Sequence, residues 1–224
     1  MKENQEERKL TKDEEKRLAR FNARAEELAR EGYTQKELVV SSGKANIVGP
    51  LYGLVLSVPF VVLFLAFYIP QSASGGDRSW SFPRDYFLLL ALMLLAIPVH
   101  ELIHGLTFCL FTKDKFKSLA FGFNRQAFAP YCSCTEELTK RQYMTGLLMP
   151  CLLLGILPGI AAALLCSFLL LLFSVVMLMS AGGDLLIAGL LLRHQPAGEA
   201  LYIDHPTKIG LSCFQRERAQ NEDS

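Results

Sequence analysis

Charge and hydrophobicity are segregated along this chain. Residues 1–46 are dominated by charged side chains, whereas residues 51–70, 86–112 and 147–192 are nearly free of them. An apolar run of about 20 residues is long enough to cross a hydrocarbon core as a helix. The 46-residue stretch from 147 to 192 is too long for one helix, and Cys166–Ser167 is where it divides most naturally. The pattern predicts an all-α membrane protein with four transmembrane helices, near 51–70, 86–112, 147–166 and 167–192. Pro59 and Pro98 fall inside two of these spans, which membrane helices tolerate. Gly155 and Gly159 make a small-xxx-small face suited to close helix packing. The polar flanks leave an N-terminal segment (1–46), a membrane domain (47–192) and a C-terminal tail (193–224).

The polar segments carry weaker periodicities. Residues 11–31 predict an amphipathic helix: Thr11 and Glu14 have capping-box spacing, and Asp13, Glu14 and Glu15 sit at the positive end of the helix dipole. Leu18, Phe21, Ala25 and Leu28 share one narrow face, and Gly32 is a C-terminal stop. Such a helix rests on the membrane, on the protein itself or, as a minority reading, on a partner. Between the second and third spans, Phe116–Phe123 and Phe128–Cys132 are aromatic-rich and strand-like, with Gly122, Asn124 and Arg125 placed for a hairpin turn. This small hairpin either packs on the membrane face or offers a strand edge to an unwound peptide.

Lysine and arginine counts orient the spans. The 71–85 loop holds only Arg78 and Arg84, with Trp80 and Tyr86 near an interface. The 113–146 loop holds Lys113, Lys115, Lys117, Arg125, Lys140 and Arg141. Arg30, Lys36 and Lys44 precede the first span, and Arg193, Lys208, Arg216 and Arg218 follow the last. The positive-inside rule places both termini and the 113–146 loop in the cytoplasm. No secretory signal pattern is visible, because the first apolar run starts about 50 residues in and is too long for an h-region. A hydrophobic content of 51% is only slightly above a globular average, so the membrane expectation rests on segregation and not on the mean. A net charge of +1 gives no reason to expect a nucleic-acid partner. The six cysteines lack disulfide-framework spacing, and Cys132 and Cys134 read as reduced thiols.

The candidate chemistry is His100-Glu101-Leu102-Ile103-His104 in the second span. On a helix the two histidines lie one turn apart on one face, where their imidazoles can bind one Zn²⁺. Glu101 lies beside them, where it can take a proton from water and pass it to a leaving amine. Three ionisable groups within five residues of an apolar span cost several kcal/mol unless a metal or partners compensate. A third protein ligand is then needed. Asp184 is the one acidic residue in the last two spans, and it follows Gly182 and Gly183, which allow close approach or local unwinding. At about 1.5 Å per residue, His100–His104 lie about 12–18 Å above the cytosolic end of their span and Asp184 about 12 Å above the end of its own. Asp204 and His205, in the sequence Asp204-His205-Pro206-Thr207, are the competing ligands, although they also suit a tail turn.

The motif, the following loop and Gly183-Asp184 in a later span resemble intramembrane zinc metalloproteases of the site-2 protease type. A closer resemblance, over roughly residues 85–212, is to a family of bacterial membrane proteins of unknown function described as zincin peptidases. It includes Pro130-Tyr131, Cys134 ahead of Leu138-Thr139, Gln142-Tyr143, Pro150, Pro158, Gly183-Asp184 and Asp204-His205-Pro206. The Asn-Pro-Asp-Gly sequence that site-2 proteases commonly use for the third ligand is absent. The resemblance implies an intramembrane zinc metalloprotease of the bacterial cell membrane, acting on a membrane protein or membrane-associated peptide. Zinc would be held by His100, His104 and Asp184, with Glu101 catalytic. The rival readings are a non-catalytic metal-binding scaffold or transporter component, and another membrane metal-dependent hydrolase. Nothing in the sequence sets an oligomeric state.

Overall fold

The computed structural model describes residues 11–74, 81–124 and 129–217. Arg78, Trp80, Arg125, Phe128 and Arg218, used above for topology and turn, lie outside the described residues. The first helix, α1 (Lys12–Arg30), begins on the expected capping box: the Thr11 hydroxyl accepts from the Glu14 N–H, and the Glu14 carboxylate accepts from the Thr11 N–H. Gly32, at φ +87°, ends it in a left-handed turn that favours glycine.

Strand β1 (Thr34–Val40) leads into α2 (Ser42–Ala73), which starts nine residues earlier than the apolar run because the Ser41 hydroxyl caps it. Helix α3 (Arg84–Cys109) follows, then a 3₁₀ turn (Lys115–Ser118) and the hairpin β2 (Leu119–Asn124) and β3 (Ala129–Cys134). The third apolar helix is continuous from Lys140 to Leu165 in three pieces: α4 (Lys140–Pro150), a π-helical stretch (Cys151–Ile156) and α5 (Leu157–Leu165). The π stretch begins directly after Pro150, whose ring removes an N–H from the α ladder. Cys166, at φ +49°, ends α5 in a left-handed turn, so the chain divides where the sequence suggests. The last apolar stretch, α6 (Phe168–Ser180) and α7 (Gly182–Arg193), bends by 49° at Ala181. Among the described residues, three helices are thus long and apolar enough to cross a membrane, and a fourth is added if the bent pair counts as one.

Their packing depends on small residues. Gly49, Gly53 and Ser57 recur every four residues along α2, Phe64 follows two turns on, and all four are buried, while Val55 and Val62 on other faces are 69% and 60% exposed. A Cβ on Gly53 would lie 2.0 Å from the Leu178 carbonyl oxygen, and one on Gly182 would lie 2.1 Å from the Gly49 carbonyl. The backbones of α2 and the α6–α7 bend therefore touch. Gly155 faces Leu178, and Gly159 faces Phe60 and Ser174, so the small-xxx-small face does admit close packing. Ser174 Oγ donates to the Gly155 carbonyl at 2.8 Å across that contact.

The chain is not all-α. The tail forms β4 (Glu199–Asp204) and β5 (Ile209–Arg216), and β1 joins them in an antiparallel sheet ordered β1-β5-β4. Alternation works on both faces of this sheet. Leu201, Ile203 and Phe214 pack with Phe21, Ala25 and Leu28 of α1. Tyr202, Leu211 and Cys213 pack with Tyr143, Leu147 and Leu191 of the helical bundle. The predicted amphipathic face of α1 is thus buried against the protein itself. The sequence signal for the sheet is weak because charged residues interrupt these short strands and the pairing spans the length of the chain. The hairpin also differs in detail: Gly122 and Asn124 lie within β2, opposite Tyr131 and Ala129, and not in its turn.

We expect Gly53→Val to lower the thermal unfolding temperature in detergent, since the added side chain forces backbones apart at a cost of about 1–3 kcal/mol or more. Gly43→Ala, where an added Cβ meets nothing within 4 Å, is the control and should not lower the transition.

Candidate metal centre

Helix α3 presents His100 and His104 to the same side one turn apart, and both rings are buried, at 7% and 5% exposure. The rings meet edge to face with centroids 4.9 Å apart. Across from them, the first turn of α7 carries Asp184. Its Oδ2 lies 3.2 Å from His100 Nε2 and 3.4 Å from His104 Nε2. The three ligand atoms all lie within 4.8 Å of one another. A tetrahedral zinc ion with bonds of about 2.0–2.2 Å has ligand–ligand edges of about 3.3–3.5 Å. The two His–Asp distances fit such edges, and the donor set of two imidazoles and a carboxylate fits zinc.

The ring orientation of His104 is set from behind. Its Nδ1–H donates to the Gly146 carbonyl at 2.9 Å, which leaves the Nε2 lone pair directed at Asp184. This bond requires α4 to press against α3, and a Cβ on Gly146 would lie 2.2 Å from the Phe108 ring. The Nδ1 of His100 is buried and has no hydrogen-bond partner among the described residues.

Glu101 follows about 100° further round α3, toward the hairpin, where the backbone N–H of Cys132 hydrogen-bonds its carboxylate. Gly105 lets the hairpin come this close, since a Cβ there would lie 2.8 Å from the Phe121 ring. Burial pushes the thiols of Cys132 and Cys134 up, Cys134 to about 12. Both are therefore neutral thiols; they are also free, in keeping with the reduced thiols expected from sequence, and neither joins the His–Asp cluster.

The competing ligands are placed elsewhere. Asp204 accepts from the Cys134 N–H at 2.6 Å and from the Tyr143 hydroxyl. Burial pushes its carboxyl up to about 6, although both hydrogen bonds favour the ionised form. His205 closes the β4–β5 turn: its Nδ1 accepts from the N–H groups of Thr207 and Lys208, and its Nε2 lies 3.5 Å from Glu37. The residues missed from sequence are the Gly146 carbonyl and the Tyr143–Asp204 pair. A backbone acceptor has no sequence signature, and the pair joins residues 61 apart in the chain.

A cavity of about 550 Å³ opens onto the cluster and runs past Glu101 and β3 to the 204–210 turn and α1. The chain is thus a largely helical protein with a buried centre of two histidines and one aspartate at the end of a cavity. Residues 93–198, which contain His100, Glu101, His104 and Asp184, match the model of a family described as "Putative zincin peptidase". This agrees with the resemblance carried by the histidine motif and supports a peptidase. No curated protein and no solved structure matches the chain.

We expect Asp184→Ala to weaken zinc binding by more than about 100-fold, beyond the 10–100-fold typical of outer-shell changes. Asp204→Ala and His205→Ala should stay within about tenfold of wild type. Equilibrium competition with a chromophoric chelator measures all three. An equal loss in His205→Ala would overturn the ligand assignment.

Proposed function

We propose that the protein is an intramembrane zinc peptidase that hydrolyses peptide bonds in membrane-embedded or membrane-associated substrates. The observation that carries this reading is the convergence of both Nε2 atoms on one Asp184 oxygen, with Glu101 facing the adjoining cavity. His100, His104 and Asp184 would hold the ion, which when bound supplies Lewis acidity to polarise a carbonyl and acidify water. Glu101 takes the proton from the attacking water and returns it to the departing amine nitrogen, so the carboxylate is regenerated. The N–H of Cys132 holds the Glu101 carboxylate toward the cavity during both transfers. The exposed apolar faces of α2 and α3 support a bilayer as the medium, since side chains such as Val55 and Leu94, 69% and 70% exposed, gain nothing from water. The cavity is lined in part by α1 and the β4–β5 turn, both from polar segments, which supports entry of the substrate from the side that bears them. The charge asymmetry of the loops supports the cytoplasm for that side, and the family resemblance supports a bacterial cell membrane.

Glu101→Gln should keep its zinc and lose at least about 100-fold in turnover, because a carboxamide cannot take the proton. Metal analysis of the purified variant, beside a membrane-proteome comparison of wild-type and variant strains, tests this. Turnover that survives the change would remove Glu101 from the mechanism. Cleavage of no membrane protein depending on Glu101 would favour the non-catalytic metal scaffold. Topology reporters at the N-terminus, after residue 78, after residue 125 and at the C-terminus should read in, out, in, in. An outside signal from the residue-125 fusion would reverse the orientation.

A further inference from the structure

The cavity holds a cation that the proposed chemistry does not use. Arg17 of α1 lines the same cavity as His100, His104 and Asp184. Its guanidinium carbon sits 4.7 Å from the centroid of the Tyr131 ring on β3. Its Nε is buried and has no hydrogen-bond partner, and Arg17 forms no ion pair among the described residues. Stacking occupies the face of a guanidinium and leaves its in-plane N–H donors free, the arrangement in which arginine binds carboxylates bidentately. The neighbouring polar groups are otherwise engaged. Lys208, the other lysine or arginine lining the cavity among the described residues, is paired with Glu37 at 2.7 Å. The Asp204 carboxylate feels the charge of Arg17 but takes its hydrogen bonds from Tyr143 and Cys134.

We propose that Arg17 is a substrate anchor: its guanidinium, stacked on Tyr131, binds a carboxylate of the peptide whose scissile bond lies at the metal centre. This rests on the peptidase reading above and adds the substrate class. The preferred peptide carries an acidic side chain, or a free C-terminus, on the part that extends from the centre toward α1. A lysine at position 17 would not serve equally, because an ammonium neither stacks flat on the ring nor offers paired parallel donors.

The test uses the full-length zinc-loaded protein in detergent and three sets of peptidyl hydroxamates. In each set the hydroxamate is separated by roughly one to four residues, spanning the extended reach of a short peptide, from one of three ends. The ends are an aspartate side chain in an amidated peptide, a free C-terminal carboxylate without acidic side chains, and a neutral amidated control. Calorimetric dissociation constants at neutral pH and fixed salt are the readout. At one spacing a carboxylate form should bind about tenfold more tightly than its neutral control, as a charge-assisted pair allows. Whichever end shows the gain identifies the carboxylate source. Arg17→Gln should abolish the gain while the neutral control binds as before, and Lys208→Gln should preserve it. Equal binding of all three ends, or a gain that survives Arg17→Gln, would overturn the anchor. If no hydroxamate binds the wild-type protein, the metal-centre reading itself fails and the anchor falls with it.

Discussion

Two imidazoles and a carboxylate meet at one point between apolar helices, and the packing around them is organised by that meeting. None of the three groups is stable alone in such surroundings. Together they share one oxygen at 3.2 and 3.4 Å and offer a divalent cation the donors it needs. The convergence requires close backbones. Gly146 brings α4 against α3 so that a carbonyl reaches His104, and the contact of Gly49 with Gly182 seats the bend from which Asp184 projects. Larger residues at these crossings would separate the helices by more than a ligand bond can stretch.

A second layer sits over this centre. The β1-β5-β4 sheet joins sequence from both ends of the chain, with α1 on one face and the helical bundle on the other. Asp204, at the end of β4, links that layer to the site. It ties down the N–H of Cys134, two residues along β3 from the N–H that holds Glu101, and it receives the hydroxyl of Tyr143 from α4. The motif Asp204-His205-Pro206 therefore serves a joint between sheet, hairpin and bundle, while the cluster that could hold a metal comes from α3 and α7. The same joint forms one wall of the cavity, so the machinery for reaching the centre is assembled from segments far apart in sequence.

Much of this was legible beforehand where the signal is local. The capping box at Thr11, the division at Cys166 and the one-turn spacing of His100 and His104 each depend on a few adjacent residues. Asp184 was reachable by elimination and by depth, because helical rise is regular and acidic residues are scarce in apolar stretches. The sheet was not legible. Its strands, such as Thr34–Val40, are short and carry charge, and their partner lies at 209–215. The displacement of the hairpin turn past Gly122 was also hidden, because a glycine that makes room for Tyr131 within a strand looks in sequence like a turn residue.

By itself, the sequence determined the set of apolar helices, the face shared by two histidines and the identity of the chemistry those residues suit. These follow from periodicity and side-chain type, which act over one or two turns. Only the tertiary structure decided that Asp184 and not Asp204 or His205 completes the cluster, that a backbone carbonyl orients His104, and that α1 brings Arg17 to the same cavity. Those outcomes turn on how closely backbones approach one another. That distance is set by pairs of residues such as Gly49 with Gly182 and Gly146 with Phe108, which lie far apart along the chain.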